Sequence, residues 1–263
     1  MKVVTSASEL PSSCAFIPTM GALHAGHGSL FKIAREYSSD VVASIFVNPL
    51  QFENINDLER YPSTPDSDLE LAEEYGVTHL WLPESAEIYP EGFQKITAGP
   101  ISHLYEGASR LGHFDGVVTV VRRLFDLLKP QVAIFGEKDF QQLALVREIA
   151  NEVKIIAAPI VRESDGLAMS SRNVRLTPEG RIASRVISKA LRESKSEAQL
   201  RAILATEPML TLDYADYIDE ESFLPVTNST QFTRAIVAGW INEVRLLDNM
   251  AVKPDEQKPE EQS

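Results

Sequence analysis

Short β-rich apolar runs alternate with helix-period segments over the first two-thirds of the chain, and few folds accept that alternation. Ala15-Phe16-Ile17 is an apolar run that ends at Pro18. A glycine-containing turn follows, and then Leu30, Ile33, Ala34 and Tyr37 recur at i, i+3, i+4 and i+7, the period of an amphipathic helix. Val41 to Val47 is almost unbroken in apolar character, as a strand buried on both faces requires. Asp66 to Tyr75 reads as a helix stopped by Gly76, and His79 to Leu82 as the next strand. The order then repeats. Val117, Val120, Val121, Leu124 and Leu128 mark a helix ended by Pro130; Val132 to Phe135 is a strand, Asp139 to Asn151 a helix and Lys154 to Val161 a strand. Five strands joined by helical crossovers predict an α/β fold, a Rossmann-like doubly wound parallel sheet with right-handed connections. Ligands of such sheets bind beyond the carboxyl ends of the strands.

After about residue 175 the pattern changes. Pro178 to Ser194 is a strong helical stretch opened by proline, and Ala198 to Ala205 is a weaker one. The β-like runs Leu212 to Ile218, Ala235 to Ile241 and Val244 to Leu247 follow. Three regions are therefore expected: 1–173, a Rossmann-like domain; 174–252, a small α+β domain; and 253–263, a polar, proline-containing acidic tail without fixed structure.

Charge and cysteine usage narrow the function. The net charge of −13 argues against nucleic acid or a membrane surface as partner, since either would want a basic face. It does not argue against a small anionic substrate held by a local cluster of cations. No apolar run has the length of a membrane span, and Met1-Lys2-Val3-Val4 has no signal-peptide core. One cysteine, Cys14, cannot form an internal disulfide, which fits a reducing cytoplasm.

Three segments carry chemistry at strand ends. Pro18-Thr19-Met20-Gly21-Ala22-Leu23-His24-Ala25-Gly26-His27-Gly28 lies where the first strand gives way to the first helix. Its small residues let a ligand approach the backbone, and a helix N-terminus there favours phosphate. Two histidines of an HxGH unit sit at the rim as donors. Their i, i+3 spacing with no third ligand nearby argues against a metal pair. Gly136-Glu137-Lys138-Asp139, directly after the Val132 to Phe135 strand, adds a mobile cation, with Gln141 and Gln142 on the helix that follows. Asp165-Gly166-Leu167-Ala168-Met169-Ser170-Ser171-Arg172-Asn173 adds two hydroxyls and a guanidinium in sequence. Alone, the second reads equally as a solvated turn and the third as a polar inter-domain loop. Two further stretches are candidate substrate walls: Phe46 to Phe52, with Asn48 and Gln51, and Gly107 to Phe114, with Arg110 and His113. Amides suit hydroxyl groups and arginine suits a carboxylate.

Taken together and in this order, these motifs resemble the pantoate–β-alanine ligases (pantothenate synthetases), HxGH nucleotidyltransferases. The match runs from about Ile17 to Leu176 and resumes at Arg245-Leu246-Leu247-Asp248-Asn249. The resemblance implies a two-step ligation: ATP adenylylates the carboxylate of (R)-pantoate, and the amine of β-alanine then attacks the acyl-adenylate. It implies that Met20, Gly21, Ala22, Leu23, His24, Ala25, Gly26, His27, Gly136, Glu137, Lys138, Asp139, Val161, Met169, Ser170, Ser171 and Arg172 hold ATP. His27 would be a proton donor, and His24, Lys138, Ser170, Ser171 and Arg172 the other catalytic groups. Gln51 and Gln142, with Asn48, Arg110 and His113, would hold pantoate and β-alanine. Magnesium and a homodimer formed through the N-terminal domain are also implied, with the magnesium ligands left open.

The chain departs from the family pattern at Gly28, where a larger apolar residue is usual, and at Leu111, where proline is usual. Glycine inside the helix start costs up to ~1 kcal/mol. Two other readings stay open: a nucleotidyltransferase that stops at the adenylylated product, and a nucleotide-binding regulator on the same fold.

Overall fold

The computed structural model describes residues 1–53, 58–226 and 233–252, so the expected tail at 253–263 lies outside the described residues. Six strands form the first sheet: β1 Lys2–Val4, β2 Ala15–Thr19, β3 Val41–Ile45, β4 His79–Trp81, β5 Val132–Gly136 and β6 Lys154–Ala158. Their order is β1-β4-β3-β2-β5-β6, and every pair is parallel. The helices of this unit are α1 Ala25–Tyr37, α2 Pro65–Glu74, α3 Ser85–Ile88, α4 Tyr105–Ser109, α5 His113–Leu128 and α6 Phe140–Ile149.

The central strands are apolar apart from Thr19 and Ser44, as strands covered by helices on both faces require. On one face Ala15, Ile17, Val41, Ala43, Val132 and Ile134 pack with Phe31 and Ala34 of α1. On the other, Phe16 meets Trp81 and Phe125, each with ring centroids 6.4 Å away, and Phe125 comes from α5. Burying each such side chain fully contributes about 1.5–3 kcal/mol.

The structure revises several sequence expectations. A sixth strand, β1, pairs with β4 at the sheet edge. Strand β2 continues through Pro18: its ladder with β5 covers only Ala15 and Phe16, while Pro18 pairs on the β3 side. A missing N–H is tolerated where a strand has one neighbour. In α1 the fully buried residues are Phe31 and Ala34, whereas Tyr37 is exposed. Strand β6 ends at Ala158, which leaves Val161 in the following loop.

The chain forms two compact units, one of Met1–Glu163 with Ala168–Ser171 and a second of Ser164–Leu167 with the chain from Arg172. The second unit contains α7 Pro178–Glu193, α8 Glu197–Leu204, β7 Thr211–Asp219, β8 Thr233–Ile241 and β9 Val244–Val252. Its strands form an antiparallel sheet in sequence order. The core is its own: Ile187, Ala190 and Leu191 of α7 and Leu200 of α8 pack on Ala215, Val237 and Leu246. Thr177 caps α7 by accepting from the Gly180 N–H at 3.0 Å, with Pro178 in the first turn.

Candidate active site

The sheet order reverses between β2 and β5, the place where a doubly wound sheet opens a crevice at its carboxyl edge. Both motif-bearing turns leave from there. Met20 to His24 connect β2 to α1, and Glu137–Asp139 form a 3₁₀ turn that connects β5 to α6.

The first turn is bent through two left-handed residues, Gly21 at φ +83° and Ala22 at φ +50°. Outside glycine that conformation costs about 1–2 kcal/mol. A carboxylate from α2 holds it. Buried Asp68 accepts the Ala22 N–H at 3.0 Å and the Leu23 N–H at 2.7 Å, and Thr64 donates its hydroxyl to the same group at 3.0 Å. Sequence reasoning missed Asp68, because the backbone N–H groups it holds lie more than forty residues away and no local pattern marks it.

The histidines cap α1 reciprocally. His24 is the N-cap, and its Nδ1 accepts from the Gly26 N–H at 3.1 Å. His27 Nδ1 accepts from the His24 N–H at 3.2 Å. Nδ1 is thus an acceptor in both rings, so each neutral imidazole carries its proton on Nε2. The rings stand 4.2 Å apart, centroid to centroid. Desolvation, then the Lys138 ammonium, pushes the His24 pKa below its usual 6.5; Glu163 and Asp139 pull the other way. For His27, burial and then neighbouring His24 hold the value down to about 3. Both rings are neutral donors near pH 7.

Lys138 and Met169, two of the remaining phosphate-site candidates, lie close to this cap. Lys138 is mostly covered and lies 3.7 Å from Asp139. The Met169 N–H donates to the Val161 carbonyl at 2.9 Å, and Ala168 bridges Arg162. A methyl group on Gly26 would press into the His24 ring at 2.8 Å, so glycine is what permits that approach, and Met169 Cβ would stand at ordinary contact distance, 3.5 Å. Ser170 and Ser171 follow in the same unit and are half-buried, whereas Arg172 belongs to the second unit.

The candidate acid pocket is one network. Asn48 donates to Gln51 Oε1 at 3.1 Å and to the Gly116 carbonyl at 3.0 Å. The Gln51 Nε2 lies 3.0 Å from Met20 Sδ, which joins the pocket to the HxGH turn. His113 Nδ1 is 2.8 Å from the Gln51 carbonyl, and its Nε2 is 3.0 Å from Arg110 Nη1. A carbonyl can only accept and a guanidinium only donate, so Nδ1 carries the proton. Tyr89, which sequence reasoning missed, donates to Asn48 Oδ1 at 2.6 Å.

The two glutamines of α6 separate in role. Gln141 is buried, accepts from the Glu106 N–H and donates to the Ile101 and Leu104 carbonyls. Gln142 is half-buried and pairs with no other group among the described residues. Cys14 is buried and its thiol is pushed up to about 12, first by desolvation and then by Asp40, so it is no nucleophile. Among the described residues, no group of three or more His, Cys, Asp or Glu could hold a metal, and no helix is long and apolar enough to cross a membrane.

Comparison with known proteins gives a consistent picture. A family model described as "Pantoate-beta-alanine ligase" matches residues 1–251. The pantothenate synthetase of Acidothermus cellulolyticus is 44% identical over 93% of this chain and 87% of its own length. The crystal structure of pantothenate synthetase from Thermus thermophilus superposes with a TM-score of 0.91 at 43% identity, covering 97% of this chain and 100% of that one. The pantoate–β-alanine ligase of Francisella tularensis, solved with "Beta-gamma ATP and Beta-alanine", superposes with a TM-score of 0.82 at 33% identity, over 95% of this chain and 97% of that one.

Proposed function

The chain belongs to the pantoate–β-alanine ligase family and is an amide-forming ligase; from that premise we propose how its own residues carry the reaction. A carboxylate oxygen of (R)-pantoate attacks the α-phosphorus of ATP and pyrophosphate leaves, giving pantoyl-adenylate. The amine of β-alanine, having lost its proton, then attacks the acyl carbon; the C–O bond to phosphate breaks, and pantothenate and AMP leave. Phosphoryl chemistry of this kind needs positioning and charge neutralisation rather than a protein nucleophile.

Met20 to His27, Gly136 to Asp139, Val161 and Met169 to Ser171 hold the nucleotide. Lys138 and the hydroxyls of Ser170 and Ser171 face the charge that grows on the phosphates. Gln51 and Gln142 hold pantoate, with Asn48, Arg110 and His113 around them. The observation that carries this reading is the reciprocal cap of α1. It uses Nδ1 of both histidines as acceptors and leaves both Nε2–H groups to donate to phosphate oxygens. His27, held neutral, acts as a hydrogen-bond donor and not as an imidazolium acid.

The donor set fits magnesium bound mainly through ATP. Asp139 and Glu163 are the carboxylates acting on His24, and magnesium usually takes one or two carboxylates plus substrate phosphates. When bound, the ion would neutralise phosphate charge. A homodimer through the first unit, a cytoplasmic location and a lid role for 174–252 complete the proposal on family grounds.

The test is quantitation of AMP, pyrophosphate and pantothenate after incubation with ATP, magnesium, pantoate and β-alanine, each omitted in turn. Equal AMP and pantothenate that require all components are expected. A stable nucleotidyl product without AMP would replace this reading with simple nucleotidyl transfer, and ATP binding without turnover would replace it with a regulator.

A further inference from the structure

We infer that Tyr89 is a positioning residue for the acid substrate: its hydroxyl clamps in place the Asn48 amide, which the Leu50 N–H and the Gly116 carbonyl orient, and so holds the Gln51 amide with its N–H₂ as the group offered to pantoate. The inference rests on the proposed role of Gln51 and goes beyond it.

The argument is one of donors and acceptors. Asn48 is buried, and its amide has four partners in the first unit. Oδ1 receives the Tyr89 hydroxyl at 2.6 Å and the Leu50 N–H at 3.2 Å. Nδ2 gives to the Gly116 carbonyl and to Gln51 Oε1. Turning this amide over would set its N–H₂ against the Leu50 N–H and its oxygen against the Gly116 carbonyl. With Asn48 so fixed, Gln51 can meet it only through Oε1. The Gln51 Nε2 is then directed to Met20 Sδ, a weak acceptor that a substrate oxygen would outcompete.

Tyr89 supplies the shortest bond of this chain of contacts, and aromatic neighbours hold it in place. Its ring centroid lies 4.6 Å from that of Phe93 and 6.0 Å from that of Phe46. The pocket therefore presents donors from Gln51 and suits oxygen acceptors, carboxylate or hydroxyl, on the acid.

Steady-state kinetics of Tyr89→Phe and Gln51→Ala, singly and together, test this. Phenylalanine keeps the ring and its packing, so the fold is retained, which thermal unfolding verifies. The KM for pantoate is expected to rise about fivefold to tenfold in Tyr89→Phe, with the KM for ATP within about twofold of the parent. In the Gln51→Ala background the same change should have little further effect, since the relay then has no end. An unchanged pantoate KM in Tyr89→Phe, an equal rise for ATP, or full additivity of the two substitutions would overturn the relay. If instead Gln51→Ala leaves the pantoate KM unchanged, the assignment of Gln51 itself fails.

Discussion

Gly28 shows how one residue can be explained only by its neighbour. A Cβ there would collide with the Tyr75 ring, over which Lys32 Nζ lies at 4.8 Å. The larger residue usual in the family has no room in this chain because Tyr75 already fills it. Gly28→Leu should therefore cost about 1–3 kcal/mol by overpacking. Combining it with Tyr75→Ala should cost less than the sum of the two, as denaturant midpoints of the variants can establish. Asp68 is the second such case. Asp68→Asn turns one acceptor of the HxGH clamp into a donor facing an N–H, and should raise the KM for ATP about tenfold while the pantoate KM moves little. Equal effects on both substrates would count against the clamp. Lys138→Ala should slow adenylylation by about 10²-fold or more, the usual effect of losing one donor to a transition-state charge. Near-normal turnover would remove Lys138 from its assigned role.

The start of α1 is an element whose cap rests on Nδ1 of the same two histidines whose Nε2–H groups are proposed to face phosphate. Its pH behaviour follows from the two lowered imidazole pKa values, His27 down to about 3. Between about pH 6.5 and 3 the unfolded chain binds more protons than the folded one. The histidines' contribution is thus fully present above pH 6.5 and is lost as the pH falls through that window. His27→Gln should flatten the slope of denaturant midpoint against pH there; an unaltered slope would show that other groups set it. The long elements were legible in advance for a simple reason. In α5 the apolar residues recur at helical spacing and end at Lys129-Pro130, and the helix is buried along Val117, Val121, Leu124 and Leu128. Strand β1 was not legible: it has three residues, only Val4 is buried, and its partner β4 lies far along the chain.

At the scale of the whole molecule, two cores imply two units that can fold separately. The chain crosses between them more than once, since Ser164–Leu167 belongs with the second unit and Ala168–Ser171 with the first. A fragment of residues 164–252 should unfold cooperatively on its own. A fragment of 172–252 should be less stable by about 1 kcal/mol or more, because it lacks Asp165, which pairs with Arg181 at 3.0 Å, and the buried Leu167. Chemical denaturation followed by circular dichroism separates the two, and a 164–252 fragment without a cooperative transition would refute separate folding.

Local residue order was enough to specify five of the six strands of a parallel sheet, the long helices between them and the contiguous motifs at their ends. Each of these is written in periodicity or in contiguous motifs such as Met20 to His27 and Gly136 to Asp139. Burial period and turn chemistry act over a few residues, so a single chain displays them. Folding in three dimensions was needed to show that the Gln141 amide is engaged by backbone groups of a distant segment. It also decided which nitrogen of each histidine carries the proton, and that Asp68 bonds the HxGH turn and Tyr89 bonds Asn48 from elements distant in sequence. Those outcomes depend on which donor meets which acceptor in space, a pairing that no local pattern of residues encodes.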